Sequence, residues 1–362
     1  MNMTASLALA DSAMLLDLPL PNVCGFEPRD EKAWEAFVFT QKNTTFFHRA
    51  GWRRVIESSL GHRAHYRCAW RGNTLVGILP LIEVKSRFFG HALVSLAFGV
   101  TGGIAALDDA AVAALAEDAA QLGARLGVDF VELRHETPLD IPWITKPELY
   151  FGFRRTLQRD DAANLKTIPR KKRADLRKAI DNKNLTVDTS ADPKTFYRIY
   201  SESLRNLGTP VLPRRFYTAV AAEFGNSVEL STINSPEGPV AALMTYFFKN
   251  VAMPYYGGAT PAARPLHAYD LLYWRLMSRA VERGCSVFDF GRSKQGTGAF
   301  DYKTYWGFEP TPLTYQFHLV RQQELPEINP LNPKYRLMVN GWKKLPLPVA
   351  NTLGPLIARQ IA

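Results

Sequence analysis

Apolar and polar positions along this chain fall into two blocks that share one order of elements. In the first block, amphipathic stretches at 31–39 and 46–60 predict two helices, the second closed by Gly61. In the second block, 193–204 and 214–224 predict two more, closed by Gly225. Each block then has two apolar runs joined by turn residues, the pattern of a hairpin. These are 65–70 and 74–84 around Arg71-Gly72-Asn73, then 240–248 and 251–256 around Lys249-Asn250. A double glycine follows in both, Gly102-Gly103 and Gly257-Gly258. Next come helices predicted at 110–126 and 267–283, followed by Gly127 and Gly284, where glycine suits a left-handed cap. In the later helix Ala268, Leu272, Leu276 and Ala280 make one stripe at i, i+4 spacing. Short strands at 129–133 and 286–290 close the blocks, and Gly127 to Glu132 matches Gly284 to Asp289 in separation.

A shared order of this kind implies a duplicated α/β (α+β) unit. The expected division is a first domain at 25–160, a basic linker helix at 161–185, a second domain at 186–321 and a C-terminal tail at 322–362.

Charge sharpens this picture at the linker. The chain carries a net charge of +10, and residues 165–184 hold eight Lys and Arg against Asp175 and Asp181. Pro169 suits a helix start, and Leu176 and Ile180 give it an apolar face. Arg170, Lys171, Lys172 and Arg173 are therefore candidates for anion binding, to nucleic acid, nucleotide phosphate or anionic lipid. A solvated helix face is the equal alternative. Cys24, Cys68 and Cys285 suggest no disulfide framework and no metal spacing, which fits a reducing, cytoplasmic setting. No apolar run approaches the roughly 20 residues of a membrane span. Residues 1–20 are apolar in patches but carry Asp11 and Asp17, and no signal peptide is read there.

The two blocks differ in polar content, and the second carries the chemistry. Residues 291–308 read as a loop rich in glycine, basic residues and aromatics, with Arg292, Ser293, Lys294 and Lys303 as its polar groups. Glycines let backbone amides approach a ligand, and Arg and Lys bind carboxylate or phosphate. Asp289 precedes the loop, either bracing it or taking part. Residues 254–270 join a strand end to a helix start, where free N–H groups attract anions. Tyr255, Tyr256, Arg264, His267 and Asp270 are its candidates for binding substrate. Serine-elbow, zinc-protease, Walker and dinucleotide motifs are absent from the sequence, and no metal is implied.

Several runs together resemble the FemAB-like family of the GNAT acyltransferases, in the subgroup associated with exosortase and PEP-CTERM loci. They are Tyr255-Tyr256-Gly257-Gly258, Ala263-Arg264, Asp270 with Tyr273-Trp274, Phe288 to Lys294, and Gly298 through Lys303 to Pro310. Ile168 to Ala174 and Asn206 to Val211 fit the same subgroup. The resemblance covers about residues 25–320. It implies two GNAT-like domains, for which the related BioF2-like acetyltransferase domain is a broader label. It implies transfer of an acyl or aminoacyl group to an amine of a peptidoglycan, exopolysaccharide or other envelope precursor. Lys303 matches the lysine that assists transfer in Fem enzymes, with Asp289 beside it as a second catalytic candidate. The donor expected is an aminoacyl-tRNA or an acyl-CoA, with no resident cofactor. The segment 256–267 does not spell the acetyl-CoA loop, and the long helical arm of Gram-positive Fem enzymes is absent. A non-catalytic GNAT pair binding an anionic polymer, RNA or a membrane surface is the alternative.

The tail mixes Trp342, Lys343 and Lys344 with Leu345, Leu347, Val349, Leu353, Leu356 and Ile357. Such a mixture either folds back on a domain or lies at a membrane interface, here peripherally at the inner membrane.

Overall fold

The computed structural model describes residues 19–86, 90–325 and 333–360. The reading of residues 1–18 lies outside them. The first half begins with β1 (Asn22–Gly25), α1 (Glu31–Thr40) and α2 (Gly51–Leu60). Strands β2 (Arg63–Ala64), β3 (Arg67–Arg71), β4 (Thr74–Leu79), β5 (Leu81–Ser86), β6 (Gly90–Ser95) and β7 (Ala105–Ala106) follow. Then come α3 (Asp109–Leu126), β8 (Phe130–His135) and β9 (Ile144–Thr156). Asp108 caps α3 by accepting from the Ala111 amide, and Gly127 ends it at φ 64°.

Two helices, α4 (Asp161–Thr167) and α5 (Arg170–Asp181), lead to β10 (Thr186–Asp188) and the second half. That half contains α6 (Pro193–Leu207), α7 (Arg214–Phe224), β11 (Val228–Ser235), β12 (Gly238–Phe248), β13 (Val251–Ala259), α8 (Ala268–Glu282) and β14 (Val287–Ser293). It ends in α9 (Gly298–Tyr305) and β15 (Pro310–Leu319), and the tail forms α10 (Pro333–Lys343) and α11 (Leu347–Ala358).

One eleven-stranded sheet runs through both halves in the order β10-β11-β12-β13-β14-β9-β15-β8-β6-β5-β2. Each half has lent its last strand to the other. β9 of the first half pairs with β14 of the second, and β15 of the second pairs with β8 of the first. β9 and β15 also pair with each other, so the repeat meets itself at the centre of the sheet. Parallel pairs sit symmetrically outside this centre, β13 with β14 and β6 with β8. A smaller sheet, β1-β3-β4-β7, lies in the first half. The hairpin expected at 65–84 is broken at Pro80: its second run becomes β4 in the small sheet and β5 in the large one.

The halves share a core as well as a sheet. Phe46 stacks on Tyr246 with ring centroids 4.3 Å apart, and Phe47 meets Tyr255 at 5.0 Å. Aromatic contacts of this size bury the seam and fix the two halves in one geometry. No described helix is long and apolar enough to cross a membrane.

Candidate functional site

The two parallel strand pairs diverge beyond their first residues, and the two halves treat the resulting gap differently. In the first half, β6 and β8 pair from Ala92↔Phe130 to Val94↔Glu132. The gap beyond is stitched shut at Arg134. Its amide donates to Ser95 Oγ at 2.9 Å, and its carbonyl accepts from the Gly102 and Gly103 amides at 3.1 and 3.0 Å. Leu96, fully buried at φ 51°, packs so closely that a Cβ on Gly102 would come within 1.6 Å of it. The expected double-glycine turn is thus a plug.

In the second half, β13 and β14 pair only at Val251↔Val287 and Ala252↔Phe288. Farther on, Tyr255, Tyr256 and Gly257 are partly buried. Gly257 and Gly258 lie within β13 rather than in a turn. The chain expected as a loop at 291–308 is structured: β14 continues to Ser293, and α9 follows with Thr297 as its cap. Gly291 takes φ 68°, which glycine adopts without strain, at a bulge between Asp289 and Arg292.

Lys303 reaches back from α9 to this bulge. Its ammonium donates to the Arg292 carbonyl at 3.0 Å and to the Gly291 carbonyl at 3.3 Å. Burial, the largest effect, pulls its pKa from 10.5 to about 7; Asp289 opposes the shift and Arg292 adds to it. Arg292 donates to the Tyr315 hydroxyl and lies over the Tyr150 ring at 4.2 Å. Tyr255 donates to the Phe98 carbonyl at 2.9 Å. Asp289 is buried and occupied on both oxygens: Arg154 Nε donates to Oδ2 and the Gly291 amide to Oδ1, each at 2.7 Å. Ser293 is buried, and its Oγ has no hydrogen-bond partner. Lys294 is half-buried beside it.

Other expected residues lie elsewhere. Tyr256 packs among Phe216, Tyr217 and Tyr246. Arg264 is exposed at the end of the 3-10 turn Pro261–Ala263. His267 takes φ 48° before α8, with Nδ1 3.8 Å from the Asp270 carboxylate. Asp270 itself is buried, accepts from the Tyr302 hydroxyl at 2.7 Å and is ion-paired with Lys172. Asp270 is thus held inside the protein by Lys172 and Tyr302 rather than presented to a ligand. The linker expectation needs the same correction. Lys172 is 4% exposed, with its ammonium over the rings of Tyr302, Tyr305 and Trp306. It is structural; of the four candidates Arg170 and Lys171 stay exposed, and Arg173 is half-buried.

A cavity of about 310 Å³ opens where the halves meet, between residues 42–48, 101–104 and 134–139 of the first and the β12–β13 hairpin of the second. His135 lines it, 8% exposed, and its Nε2 has no partner. Burial, with repulsion from His48, lowers its pKa to about 3. His48, also on the wall, accepts from the Thr45 amide at 3.0 Å and donates from Nε2 to the Gly103 carbonyl at 3.1 Å. Burial lowers it to about 4. Arg154 pairs with Glu136 at the cavity at 2.6 Å and with Asp289 behind it, so it connects this space to the Lys303 bulge. None of these residues was marked by a motif; Arg154 meets Asp289 across 135 positions of sequence.

Residues 165–304 match the family model of the acetyltransferase (GNAT) domain, so the stretch carrying α8, β14 and most of α9 is of that type. No curated protein matches the chain. Among solved structures, FemX superposes with a TM-score of 0.65 at 12% identity, over 88% of this chain and all of the other. A tandem GNAT protein from the clavulanic acid biosynthesis pathway gives 0.54 at 10% identity, over 84% and 100%. The C-terminal domain of a putative lysylphosphatidylglycerol synthetase from Agrobacterium fabrum gives 0.53 at 12%, over 80% and 91%. At such identities the likeness shows the fold: two tandem GNAT-like units, as the resemblance implied and in agreement with the repeat.

Proposed function

We propose that the chain is an acyl- or aminoacyltransferase, and that transfer takes place in the second-half gap beside Lys303. The observation that carries this is the asymmetry of the gaps. The first is tied through the backbone amide and carbonyl of Arg134, whereas in the second the strands pair at only two positions and the Lys303 ammonium is bound to the β14 bulge.

A neutral amine attacks the carbonyl carbon of an activated ester or thioester. A carbon–nitrogen bond forms, the carbonyl oxygen gains negative charge, and the bond to the leaving alcohol or thiol then breaks. Two of the Lys303 donors are committed to backbone carbonyls, and the third is left for the developing oxyanion. The attacking nitrogen gives up its proton to the leaving group or to solvent, since both oxygens of Asp289 are engaged. Asp289 is then a positioning residue that fixes the Gly291 bulge, departing from the catalytic expectation.

The acceptor in this reading is an amine on an envelope or exopolysaccharide precursor, and the donor an aminoacyl-tRNA or acyl-CoA. FemX and the lysylphosphatidylglycerol synthetase domain share the fold, which supports donors and acceptors of this class without choosing among them. The seam cavity suits the acceptor's polar end, with Glu136 for an ammonium and Arg154 and Lys249 for a phosphate or carboxylate. Supplying the protein with charged tRNA or acyl-CoA and an extract of envelope precursors, then following label into the amine fraction, tests the proposal. Label should enter with the native protein and not with Lys303→Gln.

A further inference from the structure

The tail folds back on the second half yet leaves a large part of its apolar surface uncovered. On α11, Ala350 and Gly354 face inward, with Gly354 against the backbone of Val211, and Asn351 donates to Ser201 at 3.3 Å. On the opposite side Val349, Leu353 and Leu356 recur at i, i+4 and i+7 and are 41, 42 and 51% exposed. On α10, Val339 packs against Gly208, while Leu337 and Met338 are 80 and 63% exposed. Leu207, beside that contact at the end of α6, is 64% exposed. Of the ten large hydrophobic side chains exposed among the described residues, these six belong to one region. Scattered exposed leucines are ordinary, but a concentration on two helices that both pack on α6 marks an interaction surface.

The tail's own charge has one sign. Residues 333–360 contain Lys334, Arg336, Lys343, Lys344 and Arg359 and no Asp or Glu. An open groove of about 670 Å³ between α7 and α11 continues the patch, lined by Ala219, Ala222 and Leu356 together with Arg214 and Arg359. We propose that the outward faces of α10 and α11 and this groove dock on the surface of an anionic lipid bilayer. The aliphatic side chains enter the headgroup boundary and the lysines and arginines meet lipid phosphates, the two signals that peripheral attachment needs. Charge complementarity selects this occupant. The inference is independent of the acyl-transfer reading, though it would hold such an enzyme beside a lipid-borne acceptor.

Removing the tail is a poor test, because the truncation would strip α6 of its cover. Point changes on the exposed side leave the packed side intact. The full chain is floated with vesicles containing phosphatidylglycerol and with vesicles of phosphatidylcholine alone, at low and high salt. The native protein should float with the anionic vesicles at low salt, and less at high salt. Leu353→Glu/Leu356→Glu and Lys343→Glu/Lys344→Glu should each reduce binding by roughly tenfold or more, with unchanged melting curves. Binding of both variants equal to native, or no flotation of the native protein, overturns the proposal. A dimer in light scattering that Leu353→Glu/Leu356→Glu abolishes, without vesicle binding, would assign the surface to a second copy of the chain instead.

Discussion

The ammonium of Lys303, on α9, is held 3.0 Å from the carbonyl oxygen of Arg292, on β14. This contact joins α9 to the bulge in β14, whereas the matching stretch of the first half is tied to Ser95 and to the glycine amides at Arg134. In the proposed reaction this cation, with a pKa of about 7, meets the negative charge that develops on the transferred acyl group.

The sign of the resulting pH dependence follows from the cationic role. Lys303 is protonated below about pH 7 and loses its charge above it. Divided by the fraction of acceptor amine that is neutral, the kcat/KM for transfer should therefore fall by about tenfold per pH unit above that point. Lys303→Arg keeps its charge, so its activity, though reduced by altered geometry, should lose this limb. A Lys303-dependent rise through pH 7 would mean that the neutral amine acts as a base.

Lys172 and Asp270 form a buried pair, so breaking it strands a charge. Lys172→Met alone should destabilise the protein by roughly 3–5 kcal/mol. Lys172→Met with Asp270→Leu should recover most of that loss. Thermal or urea unfolding checks both. A Lys172→Met protein of native stability with weakened RNA binding would return this residue to the anion-binding linker.

His48 and His135 predict acid sensitivity. An unfolded histidine takes its proton near pH 6.5, whereas these folded ones do so near 4 and 3. Between those limits the unfolded chain binds more protons. Stability is thus fully present above pH 6.5 and falls as the pH drops, by about 1.4 kcal/mol per unit for each histidine. His135→Gln should flatten the slope of unfolding free energy against pH by one such increment. An unchanged slope would mean that His135 protonates freely in the folded protein.

Gly291 is constrained by its conformation. Gly291→Ala at φ 68° should cost roughly 1 kcal/mol or more and displace the carbonyls that hold Lys303. Transfer should fall further than stability explains, read as kcat against KM at a temperature where the variant is folded.

Much of the fold was legible because its repeat is local. Helices α1 and α7 and strands β8 and β14 follow periodicity and glycine punctuation that the chain carries in short windows. The exchanged strands were not legible. β9 contains Pro147, Glu148 at φ 60° and Gly152, which interrupt alternation, and its partners β14 and β15 lie far along the chain. The same distance hid the seam. The sequence grouped Arg292, Lys303 and Asp289 by proximity, and they do meet, but Arg154 and His135 gain meaning only when the halves close on each other. The basic run misled at Lys172, since helical periodicity turns one of four adjacent cations inward, and Asp270 lies where it arrives.

Transfer by the Lys303→Gln protein, compared with native protein on the same labelled donor and envelope-amine extract, tests the central claim most directly. Neutral glutamine keeps a donor but removes the charge, and the rate should drop by about 100-fold or more with native stability and donor binding retained. Transfer at the native rate would contradict the assignment of the second-half gap and its lysine as the site of acyl transfer.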